Sequence, residues 1–395
     1  MNIKQIYKKH SLFLHAAIVL AISYIIVSCF VSSTKSLSFF FVIDEAGDVP
    51  MSNMYMNINA KKGYATSDTT ITLVSVDFCE DRLEIARLIE QIDSLHPKVI
   101  GLDVFFKNRE EAKSGTVLEN VIFKCKNLVV ANSLDAEQSQ NNDRYNICNR
   151  SFFVGIESHN FIEGFINLDG EDNSLVQTFT PKLFFQKENA LDTLYCFATQ
   201  VVKFCDESAF QKLFQRKGNS EIINFQPLRF YELEKHEIED NKELITGKIV
   251  LIGTLSKDFK NTPINSRMCG VEVHAHIIST IIKEKYIDRL DNIWTKMINI
   301  LFCYLFALFC WFATTKIKHG ITVLIKLAQV LILVLAFFTG YYLFNRFNID
   351  ITYTKTIIVM GIVILIVDIY HVAVTFGHKW IVKYNNKNSR NEKVS

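Results

Sequence analysis

Residues 248–286 read KIVLIGTLSKDFKNTPINSRMCGVEVHAHIISTIIKEKY, and this stretch decides the fold class of the central part of the chain. It begins with an apolar, β-branched run at residues 248–254, which predicts a buried strand. It closes with residues 271–286, where Val273, Ile277 and Ile281 recur at the spacing of one helix face. A strand followed by an amphipathic helix is one step of a β-α-β repeat, so the stretch predicts an α/β domain.

The same alternation occurs upstream of this stretch. Residues 71–77 predict a strand that ends in an acid, and residues 82–93 carry apolar side chains at helical spacing. Residues 98–105 predict a second strand, with Asp103 near its end. This order indicates a mostly parallel or mixed sheet flanked by helices. Further predictions are strands at 128–132 and 221–225, a helix-like stretch at 190–204 and a polar loop at 136–149.

Four long apolar runs lie outside this domain. Each is close to the ~20 residues that a helix needs to cross the hydrocarbon core of a bilayer. They predict an α-helical membrane region of four spans and exclude a soluble protein. The predicted organisation is a cytoplasmic N-terminus (1–10), a first span (11–31), an outer domain (32–293), three further spans (294–314, 321–344 and 354–376) and a basic cytoplasmic tail (377–395).

The distribution of charge predicts the orientation. The formal net charge of +2 conceals an acidic segment at 32–293, whereas Lys and Arg flank the spans at both termini and at Lys316 and Lys318. Because short cytoplasmic segments retain positive charge, both termini are expected in the cytoplasm and the outer domain outside it. The acidic domain also argues against nucleic-acid binding. We therefore expect a multi-pass protein of the bacterial inner membrane, with its large domain in the periplasm or outside the cell.

An alternative for the first span concerns Cys29. The residues Ile26-Val27-Ser28-Cys29 resemble a bacterial lipoprotein cleavage box, which would make the span a removed signal and acylate Cys29. The apolar run is longer than an ordinary signal sequence, which favours a retained helix. The remaining cysteines show no Cys-x-x-Cys spacing, so we expect small buried thiols rather than a zinc or redox motif.

The motifs of the outer domain resemble those of a CHASE2 domain over about 220 residues. They include Asp77, Gly101-Leu102-Asp103 and Gly164-Phe165, followed by Leu251-Ile252-Gly253, Lys257-Asp258, Thr262-Pro263 and Gly270-Val271-Glu272-Val273-His274-Ala275. Cys269 departs from the pattern, since the family often has Pro before this glycine. The resemblance implies an extracytoplasmic sensory module with one span before it and three after it. Family members usually continue into an output domain, whereas here 19 residues follow the last predicted span.

The candidate ligand-binding residues lie where predicted strands end or where the last helix begins. In parallel α/β sheets, groups at the carboxyl ends of strands converge on the crevice where ligands bind. An alternative interpretation is that the same residues cap turns and fix loop geometry. On a helix, His274 and His276 point to opposite sides, so no metal site is expected. The candidates are Asp77, Asp103, Gly253, Asp258, Thr262, Gly270 and His274.

Lys326, Asp368 and His371 fall inside predicted spans, where charge is costly. Lys326 and Asp368 lie at comparable depths in the third and fourth spans, and His371 follows one turn later. One interpretation has Lys326 and His371 reaching the cytoplasmic headgroups. The other pairs Lys326 with Asp368.

These features favour a sensory receptor that reads a small-molecule ligand or the state of the envelope. It would signal through its spans to a separate cytoplasmic protein. One alternative is a structural or assembly subunit of a membrane complex, and another is an extracytoplasmic enzyme, although no hydrolase or P-loop motif is present. Expected partners are the lipid bilayer, the ligand, the cytoplasmic protein and a second copy in a homodimer. No cofactor is expected.

Overall fold

The computed structural model describes residues 3–34, 51–63, 66–106, 113–133, 136–138, 145–147, 161–168, 175–187, 190–290, 293–316, 322–351 and 354–391. The chain forms two compact units. We call Asn53–Ile287 the outer unit, and Met1–Ser52 with Asp288–Ser395 the helical unit.

The helices are α1 (Ile3–Thr34), α2 (Met51–Lys61), α3 (Arg82–Ser94), α4 (Lys113–Lys124), α5 (Phe197–Cys205), α6 (Glu207–Gln215), α7 (Gly270–Ile282), α8 (Ile293–Lys316), α9 (Thr322–Phe347) and α10 (Thr354–Asn391). The strands are β1 (Thr66–Ser75), β2 (Val99–Asp103), β3 (Leu128–Asn132), β4 (Ala136–Gln138), β5 (Tyr145–Ile147), β6 (Phe161–Phe165), β7 (Thr178–Phe179), β8 (Lys182–Lys187), β9 (Ala190–Tyr195), β10 (Glu221–Ile222), β11 (Leu228–Leu233), β12 (Ile249–Gly253), β13 (Phe259–Lys260), β14 (Met268–Cys269), β15 (Asp288–Leu290) and β16 (Ile349–Ile351).

The outer unit is built on a six-stranded sheet in the order β11-β1-β12-β2-β3-β6. Every neighbouring pair in this sheet is parallel. The expected α/β class is therefore confirmed, and the central sheet is parallel throughout. β12, which comes late in the chain, lies between β1 and β2, so the sheet closes only when distant parts of the sequence meet.

Helices cover both faces of this sheet. On one face α3 and α4 share a core with the sheet, in which Leu88, Ile92 and Ile122 are fully buried. On the other face α5 approaches so closely that a Cβ atom on Gly164 would lie 2.6 Å from the Phe197 Cα atom. α7 packs on the same face as α5. Cys125, Cys205 and Cys269 are buried free thiols.

Parts of the sequence-based secondary structure are wrong. Residues 190–195 form β9, which pairs with β8 in an antiparallel hairpin, and the helix begins only at Phe197. The predicted loop at 136–149 contains β4 and β5, which pair with each other. Strand β11 was not predicted, and α7 ends at Ile282 rather than at residue 286. Pairing with a neighbouring strand determines the conformation of β4, β5, β9 and β11, and the local spacing of apolar residues does not reveal such pairing.

The helical unit contains four helices that are long and apolar enough to cross a membrane. Their apolar segments are Ser11–Cys29, Ile293–Lys316, Val323–Phe347 and Thr354–Tyr384. Buried side chains from α1, α8 and α10 form a shared core that includes Val19, Cys310 and Val363. β15, which precedes α8, and β16, which lies between α9 and α10, form a two-stranded parallel sheet.

Asp68 joins the start of β1 to the end of α7. Its side chain is 1% exposed and lies 2.6 Å from Lys283 Nζ. It also accepts hydrogen bonds from Ser279 Oγ at 3.1 Å and from the Thr70 backbone N–H at 2.9 Å. Burial acts to raise the pKa of Asp68, but the hydrogen bonds from Lys283 and Thr70, together with the Lys283 charge, outweigh burial and lower it. The charged carboxylate therefore stabilises the fold.

We expect Asp68→Asn to lower the free energy of unfolding by about 3 kcal/mol at pH 7, because it leaves Lys283 without its buried partner. The folded-state pKa is depressed, so the stabilisation is present above the unfolded pKa of about 4 and is lost as the pH falls through the folded value. Thermal unfolding at pH 7 and pH 3 measures both effects.

The control is Glu284→Gln, which breaks the pair between Lys212 and Glu284. That pair is also 2.6 Å long, but both side chains are about half exposed, so it should leave the melting temperature nearly unchanged. Equal effects of the two substitutions would contradict the role of burial.

Candidate ligand site at the carboxyl edge of the sheet

Three neighbouring strands end together at one edge of the sheet. Ser75 of β1, Gly253 of β12 and Asp103 of β2 are aligned by the pairing register. α3, which follows β1, covers one face of the sheet, whereas α7, which follows β12, covers the other. Neighbouring strands that send their chains to opposite faces open a crevice at their carboxyl ends. The predicted candidates Asp103 and Gly253 therefore meet at this edge, with Asp77 in the loop beyond β1.

Asp77 holds the loop that follows β12. Its carboxylate accepts hydrogen bonds from the backbone N–H groups of Leu255 and Ser256, both at 2.8 Å, and from the Thr254 hydroxyl. Burial acts to raise the pKa of Asp77, but the hydrogen bonds together outweigh it and lower the pKa. With its oxygens occupied in this way, Asp77 fits the structural interpretation of the sequence.

Thr262 has a similar role in the next turn. Its side chain is buried, and its hydroxyl donates to the Asn265 carbonyl at 2.7 Å and accepts from the Asn265 N–H at 3.1 Å. The adjacent Pro263 carbonyl accepts a hydrogen bond from Asn57 of α2 at 2.9 Å. The two bonds of the Thr262 hydroxyl with Asn265 hold the turn at residues 262–265 together, so Thr262 fixes the conformation of this loop.

The two candidate glycines let α7 begin close to the end of the sheet. A Cβ atom on Gly253 would lie 3.0 Å from Val271 Cβ, and one on Gly270 would lie 2.5 Å from Asp258 Oδ2. The Gly270 N–H donates to the Asp258 carbonyl at 3.1 Å. The absence of side chains at these positions brings Asp258 against the first turn of α7.

Asp258 adopts a backbone conformation that is rare outside glycine. Its φ angle is +53°, in the left-handed region that Asp tolerates better than most residues. Its Oδ1 atom lies 3.0 Å from Lys260 Nζ, and about half of the Asp258 side chain is exposed. Lys260 was not predicted as a site residue, because nothing in the sequence separates it from other loop lysines.

Asp103 differs from the other acids of the outer unit described above. It ends β2, its side chain is partly buried, and its carboxylate has no hydrogen bond or ion pair with any residue that the structure describes. Burial raises the pKa of Asp103 to about 7, and the nearby negative charge of Asp258 adds to this, while Lys260 opposes it. This acid therefore has room for a hydrogen-bond donor that the described protein does not supply.

His274 lies deeper, on α7. It is 3% exposed, its Nδ1 atom has no hydrogen-bond partner among the described residues, and its ring meets Phe197 edge-on at 5.1 Å. Burial lowers the pKa of His274 to about 3, and the charge of Lys260 contributes, so the ring is neutral. His276 instead packs against Phe225 and Phe230. Within the described ranges no cluster of three or more His, Cys, Asp or Glu side chains could hold a metal ion.

In the helical unit, Lys326 Nζ lies 2.8 Å from Asp368 Oδ2 and also donates to the Ile364 carbonyl at 3.3 Å. This distance agrees with the interpretation in which Lys326 pairs with Asp368. His371 meets Trp311 edge-on at 5.8 Å.

We expect Asp103→Asn to stabilise the outer unit at pH 8 by on the order of 2 kcal/mol. The rise of the Asp103 pKa to about 7 corresponds to about 4 kcal/mol, and this value is reduced because part of the side chain reaches solvent. Because the folded pKa is raised, the cost of the carboxylate is absent below pH ~4, grows as the pH rises and is complete above pH 7.

The matched control for this substitution is Asp77→Asn, which should destabilise the same unit at pH 8 by removing charge-assisted hydrogen bonds. Thermal unfolding of both variants between pH 4 and pH 8 measures the stabilisation expected for Asp103→Asn and the destabilisation expected for Asp77→Asn. A loss of stability in Asp103→Asn at pH 8 would show that its carboxylate is satisfied.

We expect Asp368→Asn to destabilise the helical unit, because it leaves the Lys326 charge without its partner. The double variant Lys326→Met with Asp368→Leu should recover part of the loss. Thermal unfolding in detergent measures both. Identical melting of Asp368→Asn and the native protein would mean that water already solvates the two groups.

Comparison with known proteins gives one match. The CHASE2 domain family model matches residues 69–314, which is more than half of the chain. No curated protein and no solved structure matches it. The matched range runs from β1 to α8 and contains every candidate residue from Asp77 to His274. CHASE2 domains are extracytoplasmic sensory domains rather than catalytic ones. The parallel sheet and the motifs at its carboxyl edge agree with this match, and the chain belongs to the CHASE2 family.

Proposed function

We propose that this protein is a membrane-anchored receptor whose outer unit takes up a ligand at Asp103 and passes the change to its membrane helices. The observation that carries the proposal is the state of the Asp103 carboxylate, which lacks a hydrogen-bond partner in the described protein. It lies at the sheet edge where ligands bind in open α/β folds. Its neighbours Asp77 and Thr262 have their hydrogen bonds satisfied, which keeps the surrounding loops in place.

The chemistry of the edge favours a ligand that donates hydrogen bonds or carries positive charge. Asp103 and Asp258 supply two carboxylates, and Lys260 compensates one of them. A donor group or a proton at Asp103 would satisfy the remaining acid. His274 is buried nearby and stays neutral, so it does not repel a cation.

The proposed location is the bacterial inner membrane, with the outer unit in the periplasm or outside the cell. The proposed spans are residues 11–31, 294–314, 321–344 and 354–376, and the ends at 1–10 and 377–395 lie in the cytoplasm. A cytoplasmic signalling protein would receive the change there.

The β15–β16 pair offers a path into the spans. Asp350, in β16, is 2% exposed, accepts a hydrogen bond from Ser52 Oγ at 2.7 Å and lies 3.9 Å from Arg289 Nε of β15. Burial raises the pKa of Asp350, and its hydrogen bonds with Ser52 and the charge of Arg289 oppose the rise. The strand that leads into α8 is thus tied to the turn between α9 and α10. A displacement of β15 would therefore act on α8, α9 and α10.

The second candidate is a structural or assembly subunit without a ligand. The satisfied hydrogen bonds of Asp77 and Thr262 favour it, because they show that part of the family motif serves the fold. A ligand that binds the folded protein must raise its melting temperature, whereas a purely structural unit shows no such response.

The test uses full-length protein in liposomes, with a fluorophore on a cysteine placed at Lys316, the end of α8. The native cysteines are replaced by Ser or Ala. Lowering the external pH from 8 to 6 protonates Asp103, and the emission should change. Asp103→Asn should abolish the response. Four Gly/Ser residues inserted after Asp291 should also abolish it, because a flexible link absorbs a displacement. An unchanged response in the Asp103 variant would reject this acid as the sensor.

A further inference from the structure

A second cavity of about 680 Å³ opens in the outer unit, between the start of β8, the end of α6 and the loop at residues 216–221. Its volume falls within the range of small-molecule pockets, roughly 300–1,000 Å³. None of the candidate residues at the carboxyl edge lines it. Whatever binds here is therefore distinct from a ligand at Asp103.

The cavity carries uncompensated positive charge. Lys182 and Lys217 line it, and neither has a carboxylate partner among the residues that the structure describes. Glu221 also lines the cavity, but its Oε1 atom accepts a hydrogen bond from Arg216 Nε at 2.8 Å. The acid is thus neutralised, and the two lysines leave the cavity with an excess of positive charge.

Aromatic rings surround one of these lysines. Lys182 Nζ lies 4.7 Å from the centre of the Phe214 ring and 5.2 Å from that of Phe184. These cation–π contacts hold the ammonium group between two rings. Phe184 is 50% exposed, so part of its surface remains available to another molecule. A positive charge fixed beside an open aromatic surface matches a ligand with an anionic end and a flat apolar body.

We propose that this cavity is a second binding site of the protein and takes an aromatic carboxylate. The carboxylate pairs with Lys182 and Lys217, and the aromatic body packs on Phe184 and Phe214. The charge-assisted bonds fix the orientation of the ligand, and the ring contacts supply buried apolar area.

A structural role for the two lysines makes a different prediction. The cavity lies at the C-terminal end of α6, where carbonyl groups without helical partners attract positive charge. If the lysines serve only this purpose, their replacement lowers stability and no carboxylate binds.

The test is calorimetric titration of full-length protein in detergent with benzoate, phenylacetate and indole-3-acetate. Indole-3-acetamide and acetate serve as probes that lack the charge or the ring. At least one aromatic carboxylate should bind at least tenfold more tightly than both of these. Lys182→Met should weaken that binding about tenfold or more, since it removes one charge-assisted bond. Lys217→Met provides the same test at an exposed position, should Lys182→Met fail to fold.

The matched control is Lys203→Met. Lys203 also lies over two rings, those of Tyr195 and Phe210, each at 5.4 Å, but it does not line the cavity. Lys203→Met should leave binding of the aromatic carboxylate unchanged. Asp103→Asn should also leave it unchanged, and this result would separate the cavity from the proposed sensor site. The proposal is overturned if none of the three carboxylates binds, or if Lys203→Met weakens binding as much as Lys182→Met.

Discussion

The insertion of β12 between β1 and β2 is the interaction on which the outer unit depends. Its backbone hydrogen bonds join residues 249–253 to strands that lie far earlier in the chain. The same pairing places Ser75, Gly253 and Asp103 in register and sends α7 to the face opposite α3. The crevice at the carboxyl edge is therefore a direct product of this one strand. Gly253 makes the arrangement sterically feasible, because a larger residue would meet Val271.

Three aspartates of the outer unit show how hydrogen bonding decides what a carboxylate does. Asp68 and Asp77 are each surrounded by donors, and their charge stabilises the fold. Asp103 lacks such donors among the described residues, and burial leaves it with a raised pKa. Keeping the Asp103 carboxylate charged at the carboxyl edge of the sheet lowers the stability of the domain. Proteins commonly accept such a loss at residues that serve a function. The contrast with Asp77, in the loop beyond β1 at the same edge of the sheet, is what makes Asp103 informative.

The sequence predicts the α/β class and the strand and helix around Gly253, because apolar periodicity and the glycine motif agree there. It does not predict β9 or β11. β11 pairs with β1, which lies far earlier in the chain, and β9 pairs with the adjacent β8, which the helix-like apolar spacing of residues 190–204 does not reveal. Among the site residues, Asp77 and Asp103 are equivalent in sequence terms, as both are acids that follow an apolar strand. The hydrogen-bond donors of residues 254–256 distinguish Asp77 from Asp103, and the loop conformation that places them cannot be derived from residue types. For Lys326 and Asp368, counting residues from the ends of the predicted spans gave comparable depths, and their charged atoms lie 2.8 Å apart in the structure.

Within the helical unit, β15 is held by more than its covalent connection to α8. A linker of a few residues restricts distance but still permits rotation, whereas β15 is held in register by β16 and beside the buried Asp350. Because β16 connects α9 and α10, a force on β15 is shared between the second span and the turn joining the third and fourth. This arrangement suits the proposed transmission of a small change, because a displacement of β15 would act on every element that β16 connects.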